Sequence, residues 1–303
     1  MTLNNVLRRI AAIHQQHSIK CYLSTQYLTT KLGLSENELG KLALLLNSEE
    51  PVFENEILTS ETLPFDPVTK RRHWVLSHGL YPYAYFTMAQ WFQESGLNPI
   101  FDYYLDLCIK HKEYLHHNIS ILLAFKECFE QINTLPQKLR FIERFTEFVT
   151  ATFYHNTSLN DSLPKEFIPP THLVLEDVLH SSITQPGFWG HNLIALSWLL
   201  KHQNVLKDHQ FNQLLANLYE QCHWEFDDKE DSPIIDTLYH GELCTAALYT
   251  DCRYLLFERC DNLHQITLAA AIIHLYELDW LTPKHKRQLH SIVIFYSKEN
   301  SAS

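Results

Sequence analysis

Glycine is scarce in this chain, with seven in 303 residues, and neither GxGxxG nor GxxxxGK[ST] occurs. Those motifs let a backbone approach a phosphate closely, so their absence argues against a Rossmann-type or P-loop nucleotide site. Positive charge is also short. The formal charge is −11, and the only basic cluster, Lys70-Arg71-Arg72-His73, reads as a solvated loop. Nucleic-acid surfaces need clustered Lys and Arg, so no nucleic-acid partner is expected. No apolar run approaches the roughly 20 residues of a spanning helix; even Leu268 to Leu275 is broken by His274. The first sixteen residues hold Arg8 and Arg9 in an amphipathic pattern without a long apolar core. They read as no secretory signal, and the expected location is cytoplasmic. The cysteines, Cys21, Cys108, Cys128, Cys222, Cys244, Cys252 and Cys260, have no CxxC spacing and read as reduced thiols, mostly small core residues. No GxSxG elbow occurs, which disfavours a serine hydrolase of that kind.

Apolar and aromatic residues are plentiful, at 46% and 13%, enough for burial to offset the entropy of ordering the chain. Their spacing is helical almost throughout. Helices are expected over Leu3–Ile13 and Tyr22–Leu32, and from the capping box Ser35-Glu-Asn-Glu38 to Leu46. Residues 48–70, with Pro51, Pro64 and Pro67, read as a long loop. Further helices are expected from Pro82 to Gln93, from Asn98-Pro99 to Lys110, over 114–131 and 136–154, and from Thr171 to His180. The others are the stretch ending at Lys201, Lys207–His223, 234–249 after a Ser232-Pro233 cap, 263–278, and a last one capped by Thr282-Pro283. The expected fold is all-α: a globular assembly of antiparallel helical hairpins, forming an imperfect α/α toroid or bundle. Residues 1–303 read as a single domain, with two lobes split near 156–171 at Pro164, Pro169 and Pro170. Nothing in the sequence fixes an oligomeric state.

Candidate chemistry gathers on histidines at helix starts. Pro186-Gly-Phe-Trp-Gly-His191 leads into an apolar helix, and Ser77-His78-Gly-Leu-Tyr81 and Tyr239-His240-Gly-Glu242-Leu243 have related local sequence. A histidine on an apolar face must find a partner, since an unsatisfied buried polar group costs about 1–3 kcal/mol. His78, His191 and His240 are therefore candidate pocket residues, with Glu242 the nearby carboxylate for acid–base work. Tyr81, Tyr85, Trp189, Trp198 and Tyr239 are the aromatic candidates to hold a flat small-molecule substrate. A second constellation points to metal: Glu113-x-x-His116 and Glu220-x-x-His223 each put a carboxylate and an imidazole on one helical face, as di-iron bundles require, so iron is a candidate cofactor. For so short a motif in a chain with 19 histidines, chance supplies such pairs.

His191-Asn-Leu-Ile-Ala-Leu196 resembles the His-(Gly/Pro)-Leu-Ile-(Arg/His)-Leu segment of questin oxidase-like proteins. His240 with Ala247-Leu248 is similar to that family's later His-Ala-Val-Thr…Ala-Leu segment, and Ser77-His78 to its early Asn-His segment. Ala195 stands where the family has a basic residue. The resemblance implies an oxidoreductase acting on a polyketide-derived aromatic or quinone, with reduced nicotinamide (NADPH) as electron donor and His78, His191 and His240 in the pocket. Two other classes compete. A helical-repeat interaction scaffold without catalysis would use the grooves between hairpins, and an α/α-toroid hydrolase or lyase would set a carboxylate pair, Glu242 and Glu176, at the cavity.

Overall fold

The Ser35 capping box forms as its sequence requires. The Glu38 N–H donates to Ser35 Oγ at 3.4 Å, and the Glu38 carboxylate accepts from the Ser35 N–H at 2.8 Å. Asn262 with Gln265 forms a second such box, and Thr134 opens another helix by accepting from the Gln137 N–H. The computed structural model describes residues 1–11, 16–61, 71–110, 115–154, 170, 172–224, 232–236 and 238–298, with the backbone alone at 115 and 116. Among them run α1 (Leu3–Val6), α2 (Ser18–Leu32), α3 (Glu36–Glu49), α4 (Arg72–Ser77), α5 (Tyr83–Ser95), α6 (Leu97–Lys110) and α7 (Leu115–Phe129). There follow α8 (Leu135–Thr152), α9 (Leu175–Thr184), α10 (His191–Lys201), α11 (Asp208–Gln221), α12 (Thr245–Phe257), α13 (Leu263–Tyr276) and α14 (Pro283–Lys298). The described residues hold no sheet; the one β-type contact is an isolated antiparallel bridge between Arg9 and Val52. The fold is all-α, as expected.

Four helices form an inner ring. α2 packs on α7 and α13, and α10 packs on the same two, which closes the circuit. α13 is apolar around most of its circumference and almost wholly buried, as a central helix must be. The others pack around the ring: α9 and α11 against α10, α12 and α14 against α13, and α6 and α8 against α7.

Two levels of contact fix the direction of the ring helices. At one level His17, His117, His191 and His264 meet ring to ring, each from the first turn of its helix or just before it. Ten residues on, Glu127 pairs with Lys201 at 2.8 Å, and Tyr27 meets His274 edge-on at 6.5 Å. Ten residues of helix rise about 15 Å. The four helices therefore run parallel, with all four N-termini at the histidine end.

The elements depart from expectation in places. The Leu3–Ile13 helix stops at Val6, because the buried Arg9 turns back to donate to the carbonyls of Leu46 and Glu50 at the end of α3, where a helix C-terminus favours a cation. α2 begins at Ser18, four residues before the expected start. Residues 238–244 are irregular and α12 starts only at Thr245. The Tyr239 N–H donates to Ser291 Oγ and its carbonyl accepts from Arg287; both bonds tie this backbone to α14 and take it out of helix, so Ser232-Pro233 caps nothing. Pro99 lies inside the first turn of α6. The expected lobe boundary near 156–171 lies outside the described residues, apart from Pro170 and His172 near it.

Candidate metal centre

His17 caps α2, His117 is the third residue of α7, His191 opens α10 and His264 is the second residue of α13. Because the ring helices are parallel, these four side chains are delivered to one place. They are only 3% to 9% exposed. Ring centroids lie 4.1 Å apart for His117 and His191, 4.5 Å for His191 and His264, and 4.7 Å for His17 and His264. The candidate ligand nitrogens of His17, His117 and His264 all lie within 4.8 Å of one another. A transition metal with bonds of about 2.1 Å holds tetrahedral ligand atoms roughly 3.4 Å apart, so small side-chain rotations close this set on one ion.

Ring orientation is set from behind. The Glu50 carboxylate accepts from the N–H groups of His17 and Ser18 at 2.6 and 3.0 Å, and lies 3.5 Å from His17 Nδ1. Burial acts to raise the Glu50 carboxyl, but the His17 ring and those two N–H groups outweigh it and hold it below its ordinary value. His17 itself is lowered by burial, which keeps it neutral and able to ligate. His264 Nδ1 lies 2.6 Å from Asn262 Oδ1. Both contacts engage Nδ1, the second-shell arrangement that orients a metal-binding imidazole. His17 Nε2 has no hydrogen-bond partner among the described residues.

The approach to His191 is held rigidly. Gly187 and Gly190 have φ of 73° and 77°, and Trp189 has φ of 47°. Tyr296 secures this turn by donating to the Gly187 carbonyl and stacking on Trp189. A Cβ on Gly190 would lie 2.4 Å from Leu268 Cδ1, so only glycine lets α10 start this close to α13. Phe188 packs on His191 and His264 at 5.6 and 5.8 Å.

One to two turns further along the ring lies a cavity of about 140 Å³, lined by residues including Ser24, Tyr27, Ser197, Trp198, Thr267 and His274. Ser197 Oγ and His274 Nδ1 are 2.9 Å apart in its wall. Thr267 follows His264 by three residues, so along α13 the cavity begins about one turn beyond the histidine layer.

Of the residues singled out from sequence, His191 belongs to the cluster and Trp198 lines the cavity. His78 and His240 do not join them. His78 ends α4, which packs on α5 and α8, and its ring lies on Trp74 at 4.5 Å. His240 and Glu242 are exposed in the loop before α12, and Glu176 is exposed on α9. Tyr239 stacks on His290, and Trp189 on Tyr296. Tyr81 bonds Thr150, and Tyr85 donates to Glu147 at 2.8 Å; Glu147 accepts in turn from Gln16, beside His17. His223 is exposed past the end of α11, its Nδ1 2.7 Å from the Tyr219 carbonyl, and among the described residues neither it nor Glu220 belongs to a cluster of three or more candidate ligands. Glu113 and the His116 side chain lie outside the described residues.

Sequence reasoning missed His17, His117 and His264, although a signal was present. His17-Lys20-Ser24-Tyr27, His117-Ser120-Ala124-Glu127, His191-Ile194-Trp198-Lys201 and His264-Thr267-Ala271-His274 share one spacing of three, four and three. That spacing keeps residues on a single helical seam.

The chain matches no family model, no curated protein and no solved structure.

Proposed function

We propose that this protein is a metal-dependent oxidoreductase, with iron held by His17, His117 and His264 and a one-ring aromatic or quinone-type substrate in the adjacent cavity. The observation that carries the reading is the convergence of three buried imidazoles within 4.8 Å; imidazole ligands suit iron, zinc, copper and nickel. Iron supplies one-electron and oxygen chemistry when bound. The redox reading is favoured over hydrolysis by what surrounds the site. The imidazoles are buried with Phe188 packed on two of them, and Glu50, the carboxylate beside them, is engaged by the N–H groups of His17 and Ser18 and so is a poor general base. With reduced nicotinamide as donor, the substrate gains one atom of dioxygen and the other leaves as water. The nicotinamide gives up two electrons and a proton as hydride, and solvent supplies the second proton that the water needs. A cavity near 140 Å³ is close to the one of about 150 Å³ that takes benzene, which supports a monocyclic substrate over the polycyclic one that the questin oxidase-like resemblance implies.

The same burial also fits an ion that only holds the ring helices together. Metal analysis of untagged protein, paired with NADPH-dependent oxygen uptake on monocyclic quinols, separates the two. Iron with uptake that His117→Ala abolishes supports the enzyme. Bound metal without turnover on any quinol leaves the structural ion, and protein that takes up no metal defeats both.

A further inference from the structure

We propose that the histidine chamber holds a small carboxylate-like monoanion beside the metal, with Lys20 as its counter-charge. The inference rests on the metal reading above and adds the kind of ligand the site accepts.

Lys20 is fully buried, and its Nζ has no hydrogen-bond partner among the described residues. It follows His17 by one turn on the same seam of α2, and helical side chains lean toward the N-terminus, which directs it at the histidine layer. Its charge acts on both His17 and Glu50. Burial draws its pKa down to about 8 in the metal-free protein. Ser18 Oγ, at the same end of α2, is likewise buried without a partner among the described residues.

The electrostatic balance of the chamber then points to an anion. Four helices of 11 to 15 residues aim their N-termini at it, each equivalent to roughly half a positive charge. A divalent ion and a buried ammonium add to these, against the single carboxylate of Glu50, which the N–H groups of His17 and Ser18 occupy. Uncompensated charge in a low-dielectric enclosure is costly. A small monoanion meets the need: its oxygens can accept from Lys20 and Ser18 while its charge faces the metal and the helix ends. The cavity lined by Ser24 and Thr267 lies about one helical turn away.

The test is a titration of cobalt(II)-loaded protein with azide and with formate, followed in the visible spectrum. Wild type and Lys20→Arg should shift their spectra. Lys20→Met should keep its cobalt but lose at least tenfold in anion affinity. An unchanged affinity in Lys20→Met, or cobalt protein indifferent to both anions, overturns the proposal. If wild type takes up no cobalt, the metal reading is what fails. Melting of the metal-free protein in formate then decides the anion site: stabilisation of wild type but not of Lys20→Met supports it, and equal melting of the two defeats it.

Discussion

Adjacent residues on a helix point about 100° apart, so the choice between His116 and His117 as a ligand is a choice of helix face. The ring geometry turns His117 toward His191 and His264. His117→Ala is expected to lower bound metal from roughly one ion per chain to a trace, read by elemental analysis, while His223→Ala leaves it unchanged. Lys20 allows a pH prediction. Its folded pKa is about 8 against an ordinary 10.5, with burial the main cause. Between those values the unfolded chain binds the extra proton, so stability rises as pH rises through this window, and below about 8 the penalty is fully present. Lys20→Met should therefore stabilise the metal-free protein at pH 7 by on the order of 3 kcal/mol. The gain should shrink toward zero by about pH 10.5. Denaturant melts at pH 7 and pH 10 check this; an equal gain at both would refute it.

At the scale of the element, each ring helix must begin at the right height for its histidine to reach the others. α10 does so through Gly190, whose positive φ and contact with Leu268 leave no room for a side chain. Gly190→Ala is expected to cost about 1–3 kcal/mol and to weaken metal binding as well, because the clash pushes His191 and α10 away from α13. Calorimetric melting and metal titration on the same variant test both effects. α2 is set by Glu50, which takes up its first N–H groups and orients the His17 ring. Glu50→Gln keeps the shape and removes the charge, and should weaken metal affinity about 10–100-fold with a smaller loss of stability. Competition with a chromogenic chelator measures it.

For the whole molecule, parallel inner helices with like-charged ends together are an arrangement that a bound ligand set should stabilise. Ligand at 100 times its dissociation constant adds about 2.7 kcal/mol, so chelation should lower the urea midpoint of wild type and leave His264→Ala unmoved. Most of the elements were legible from the chain. The Ser35 box, the Thr134-Leu-Pro136 start and the apolar run of α13 are local signals, each decided within a few residues by caps and periodicity. The failures at 7–11 and 238–244 were decided elsewhere. Arg9 leaves its helix for carbonyls 37 and 41 residues away, and Tyr239 is fixed by α14 52 residues on. Of the site, His191 was legible because a Gly-rich turn precedes it, whereas His78 and His240 have similar local sequence and lie elsewhere.

The sequence by itself determined that the protein is helical, that it has a large apolar core and that its histidines fall near helix starts, since each follows from composition and from spacing within a helix. Only the tertiary structure decided which histidines share a site. That depends on four helices, drawn from positions between 17 and 276, running parallel around one axis with their first turns at one height. Packing between distant segments sets those heights, and neither periodicity nor capping within any one helix carries that information.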